Sequence, residues 1–64
     1  MRYIYFVVFS HAKGGQFGFG NTELVRSKPI DSADDVRAIQ DTLEWENRIP
    51  NPVVLGWQLY RRLP

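Results

Sequence analysis

Ser10, His11 and Lys13 stand close together and are followed by the paired glycines Gly14 and Gly15. Here a nucleophile, a base and a phosphate-cradling backbone could coincide. A hydroxyl nucleophile needs a base within hydrogen-bond reach, and the base needs a third group to orient it. No carboxylate is spaced to orient His11, and adjacency on a loop does not make a catalytic pair. Phosphate loops lead into a helix N-terminus, whereas Gly15 leads into a strand-like stretch. Asp31, Asp34 and Asp35 form an acidic cluster that could pass for metal ligands, but they crowd a predicted helix start, where the macrodipole favours negative charge. Capping is the better account. The chain reads as a non-enzyme with no call for a cofactor or a metal.

Tyr3-Ile4-Tyr5-Phe6-Val7-Val8-Phe9 is apolar or aromatic throughout, so both alternating sets of side chains suit a covered environment. It reads as the central strand. Ser10 to Gln16, with its glycine pair, reads as a hairpin loop, since paired glycines supply the positive φ of a tight reversal. Phe17 to Arg26 reads as the return strand, with Gly18 and Gly20 leaving room for an approaching helix. Ser32 with Asp35 three residues on fits a capping box. At about 100° per residue, Val36, Ile39 and Leu43 form one stripe, flanked by Gln40 and Asn47, and Asn47, Pro50 and Pro52 end the helix. Val53 to Arg61 alternates as a half-buried strand.

The order is β-β-α-β in a single domain over residues 1–64. A right-handed crossover sets the last strand beside the first. The fold class is therefore α+β: a three-stranded antiparallel sheet of order 2-1-3, with one helix packed on one face.

Sixty-four residues give a marginal core, and with no cysteine and one histidine the chain has neither disulfides nor an evident metal site to staple it. Self-association, with a homodimer as its simplest form, is the expected substitute. Eight Lys and Arg against seven Asp and Glu leave a net charge of +1, which argues against a nucleic-acid role. Met1-Arg2 before an apolar run mimics a short signal peptide, but the run is aromatic and β-branched, and cleavage after Ser10-His11-Ala12 would remove the best strand. No stretch approaches the ~20 apolar residues of a membrane span. The expectation is a cytoplasmic protein with no membrane partner.

With Ile4, Phe6, Val8, Leu24, Val53, Leu55, Trp57 and Leu59 assigned to the helix side, the other face carries Tyr3, Tyr5, Val7, Phe9, Phe17, Phe19, Val54 and Tyr60. Such a face should be covered, by a second copy or by another protein. Trp45 lies opposite the buried stripe. Asp34, Asp41, Glu44 and Glu46 stand around it, a second surface suited to a basic partner. A rival reading uses Lys13, the paired glycines and a stacking aromatic to sequester a nucleotide-like ligand at a subunit boundary.

The Tyr3 to Ser10 run, the glycine loop, Gly18-Phe19-Gly20-Asn21, the Pro29-Ile30 connection leading to Asp34-Asp35-Val36, and the closing Val53-Val54-Leu55 together resemble small phage and prophage proteins of unassigned role. The resemblance covers nearly the whole chain and brings no catalytic residue with it. It implies an accessory protein in a host cytoplasm that works by binding and blocking a host protein, defence systems included. Two tryptophans and the Arg61-Arg62 end depart from the pattern, so the target would differ.

Overall fold

The computed structural model describes all 64 residues. The elements are β1 (Arg2–Lys13), β2 (Gln16–Arg26), α1 (Ala33–Trp45) and β3 (Val53–Leu63). They form one antiparallel sheet of order β2-β1-β3, with α1 against one face. The expected architecture is the one observed.

The hairpin is tighter than predicted. β1 runs on to Lys13 and pairs it with Gln16, so the loop is Gly14-Gly15 alone, with φ of +60° and +80°. Positive φ at both central positions is what a type I′ turn demands, and its twist matches that of the flanking strands. His11 is therefore a strand residue.

The turn fixes the register of β1 on β2, which holds without a shift from Tyr3↔Arg26 to Lys13↔Gln16. β3 differs. Its pairing with β1 slips between Val8 and Phe9 and again between Ile4 and Tyr5, leaving Leu55 and Tyr60 as the extra residues. Each bulge shifts the alternation by one.

Ser32 caps α1: its Oγ accepts the Asp35 N–H at 3.2 Å and donates to Asp35 Oδ2 at 2.9 Å. The two residues satisfy each other as in a capping box. At the other end the Asn47 and Ile49 N–H groups bond to the Thr42 and Leu43 carbonyls. Arg48 adopts φ +58° to make that turn.

The core is Tyr5, Val7 and Phe9 of β1 against Ile39 and Leu43 of α1, with Tyr3, Leu24, Ile30, Ile49 and Val54 around it. This reverses the predicted faces of β1. Tyr5 (4% exposed) and Phe9 (5%) lie under the helix together with the half-buried Tyr3, while Phe6 and Val8 face away. Two interactions explain the choice. The Tyr5 hydroxyl reaches the α1 approach and accepts the Ile30 N–H at 2.8 Å, and the Phe9 ring lies across Gly20, where a Cβ would come within 2.9 Å of it. His11 lies across Gly18 in the same way. The rings of β1, and not the helix, occupy the space those glycines leave.

Candidate functional site

The face of the sheet turned away from α1 is covered by no other element and carries exposed apolar side chains. β1 contributes Phe6 and Val8 to it, with Ile4 on the same face but buried. On β2, Val25 lies across from Ile4, Glu23 from Phe6 and Asn21 from Val8, while Phe19 and Phe17 sit across from Ser10 and Ala12; β3 adds Val53, opposite Ser10, and Tyr60. Cross-strand partners share a face, so the register places these side chains together. Phe17 is 73% exposed and Phe19 68%, their rings meeting edge to face at 5.8 Å. Tyr60 is 64% exposed and stacks on Phe6 at 6.4 Å. Of the residues predicted for an open aromatic face, Phe17, Phe19 and Tyr60 are there. Tyr3, Tyr5 and Phe9 are not, for the reasons of packing given above, and Val54 also packs against the core. Phe6 is the ring that takes their place.

On the helix side, β3 is only half covered. Trp57, set opposite Val7, shares an open groove of about 700 Å³ with Val36, Ala33, Arg37 and Gln40. Gln40 Oε1 accepts the Val54 N–H at 2.9 Å, which fastens α1 to β3.

Trp45 is 74% exposed at the last residue of α1, as its angular position predicted. It lines a groove of about 590 Å³ with Ile49, Pro50, Glu44, Lys13 and Arg48. The structure thus brings the predicted Trp45 and Lys13 together and gives the patch two cations among its acids. Asp41 is exposed elsewhere on α1 and does not line this groove.

The acidic cluster resolves into separate roles. Asp35 is 2% exposed, and its Oδ1 pairs with Arg26 Nη2 at 2.8 Å and Lys28 Nζ at 2.9 Å. Its Oδ2 accepts the Asp31 N–H at 3.1 Å and the Ser32 hydroxyl. The Lys28 ammonium, helped by the Asp31 N–H and the Ser32 hydroxyl, holds the Asp35 carboxyl far below the usual carboxylate range. In return the carboxylate raises Lys28. Asp34 is an exposed partner of Arg37 at 2.8 Å. The helix-capping role was readable in the sequence. The two ion pairs to this buried carboxylate were not, because Arg26 and Lys28 come from the preceding strand and connection.

Ser10 and His11 are successive residues of β1, so their side chains point to opposite faces and cannot act as nucleophile and base. Gly14 and Gly15 form the hairpin tip. No helix of the chain is long and apolar enough to cross a membrane. The chain matches no protein-family model, and it shows no detectable similarity to a curated protein or to a solved structure.

Proposed function

We propose that this protein is a non-enzymatic module that acts by stoichiometric protein binding as a homo-oligomer, with the open sheet face as its contact surface. One observation carries the reading: Phe6, Val8, Phe17, Phe19, Val25 and Tyr60 share a face that no element of the chain covers, as a Phe6–Tyr60 pair and a Phe17–Phe19 pair with Asn21 and Glu23 between the latter and Val25. A buried aromatic hides ~150–250 Å², and the largest apolar patch of an ordinary monomer is only ~300–600 Å². Four partly open rings and their valines fill or exceed that. A net charge of +1 favours protein over nucleic acid as the thing covered. In the setting that the likeness to small phage proteins implies, the target is a host or defence protein, blocked by occupation of its surface.

Phe19→Arg and Tyr60→Ala on the open face, set against Trp45→Ala on the helix side, test the reading. Self-association is followed by native mass spectrometry from micromolar to millimolar concentration, and target binding by titration of any protein captured from host lysate and then purified. The open-face variants should weaken binding by about 30-fold or more, the loss of a ~2 kcal/mol hot spot. Trp45→Ala should leave it unchanged. Unaltered binding in both open-face variants would sink the assignment.

A further inference from the structure

We propose that two copies of the chain dimerise by antiparallel pairing of β2 with β2, about a two-fold axis at Asn21. This goes beyond the open-face reading and stands independently of it. The two edges of the sheet are finished differently. β3 carries two bulges, its Val54 N–H is taken by Gln40, and it ends in Arg61-Arg62. Bulges, charges and covering groups are how proteins stop an edge from recruiting another strand. β2 has no bulge, proline or lysine, and of its two charges Arg26 is held by Asp35 and only Glu23 stands free. Apart from a long 3.5 Å contact from the Thr22 hydroxyl to the Glu23 carbonyl, no side chain or other element bonds to the backbone on its outer side.

The turn determines which backbone groups are free. A two-residue turn closes on a hydrogen-bonded pair, here Lys13 with Gln16, and such pairs alternate along an antiparallel ladder. The even-numbered residues of β2 therefore bond to β1. Phe17, Phe19, Asn21, Glu23 and Val25 turn their N–H and C=O groups outward.

Asn21 is the midpoint of β2. An axis there sets Asn21 against Asn21 of the second copy, Phe19 against Glu23 and Phe17 against Val25, so every outward residue exchanges hydrogen bonds. Any other register leaves some of them unpaired. The same register puts Gly18 and Gly20 opposite Leu24 and Thr22 of the second copy, small against larger, on the helix side. The product is one six-stranded sheet with both helices on one face and the two open faces merged into one.

Amide hydrogen exchange on the intact chain, read by NMR at low and high concentration, tests this directly. On association the amides of Phe19, Asn21 and Glu23 should slow by roughly tenfold or more, because they become hydrogen-bonded. The chain has no cysteine, so single substitutions give a second readout. Asn21→Cys should form a covalent dimer on mild oxidation, since directly opposed Cα atoms lie ~5.5 Å apart, within disulfide reach. Glu23→Cys alone should not, whereas a mixture of Glu23→Cys and Phe19→Cys chains should. A chain that stays monomeric at every concentration overturns the proposal. So does association that leaves these amides unprotected; that result means face-to-face contact and leaves the open-face reading intact. Protected amides in a Phe19→Arg variant that has lost its target would instead support edge pairing on its own.

Discussion

At the scale of single residues, the glycines show how position decides the sign of a substitution. Gly20→Ala would push a Cβ to 2.9 Å from the Phe9 ring, and the ring is core, so it has little room to yield. Overpacking of this kind costs about 1–3 kcal/mol, more than the ~0.5–1 kcal/mol gained by removing a glycine from a strand. Gly56→Ala meets nothing within 4 Å and should stabilise by that smaller amount. Urea midpoints of the two variants should therefore move in opposite directions. Asp35 makes a prediction in pH. Its carboxyl is depressed below the ordinary 3.8 when folded, so its stabilising contribution is present above about pH 4 and disappears as pH falls through the folded value. The urea midpoint should begin to drop below about pH 5 and go on falling past about pH 3 toward the depressed folded value, and Asp35→Asn should be less stable at pH 6 yet flatter across the range. An equally steep fall in Asp35→Asn would assign the acid sensitivity to other groups.

At the scale of elements, the sequence was most legible where a pattern has one meaning. The Ser32 cap, the Ile39-Leu43 stripe, the exposed Trp45 and the strand order all follow from local chemistry and chain connectivity. The faces of β1 were illegible from its own residues, because neither alternating set is polar. The information lay in the turn. Read as a two-residue turn, Gly14-Gly15 pairs Leu24 with Tyr5 and Gly20 with Phe9, and grouping Leu24 with Ile4 becomes impossible. β3 failed differently: a single alternation through Val53, Leu55, Trp57 and Leu59 cannot register two bulges, so Val53 turns to the open face while Trp57 and Leu59, opposite Val7 and Tyr5, remain on the helix side. Open sheet residues could be predicted only as well as these phases. The end of α1 offers a prediction of its own. Arg48 holds a left-handed φ of +58°, a conformation that costs a side-chain-bearing residue ~1–2 kcal/mol and glycine almost nothing. Arg48→Gly should thus raise stability by about 1 kcal/mol, less the entropy glycine adds to the unfolded chain. A lower urea midpoint would show that the Arg48 side chain matters more to the Trp45 groove than its backbone strain.

The whole molecule is long and thinly buried. Its extents are 42 × 19 × 18 Å and its radius of gyration is 12.0 Å, against the ~10.7 Å of a compact chain this long. Its accessible surface of 4667 Å² exceeds the ~4,250 Å² that folded monomers of 7.5 kDa present. Only 8 residues are buried, and the apolar surface left over is spread over the open sheet face and, through Trp57, Leu59 and Trp45, over the helix side as well. A fold with so small a core gains stability from whatever binds its folded form and not its unfolded one. If that partner is a second copy, stability depends on concentration: a hundredfold excess over the dissociation constant contributes about 2.7 kcal/mol. For a domain this small, each kcal/mol moves the Tm by about 4–8 °C. Melting curves recorded from micromolar to millimolar concentration should therefore shift upward by ten degrees or more, and the shift should shrink in Asn21→Pro, which removes an outward N–H of β2 and leaves the ladder to β1 in place. A Tm independent of concentration would mean that the five-residue core suffices alone, and that the uncovered face and edge are held open for a different protein.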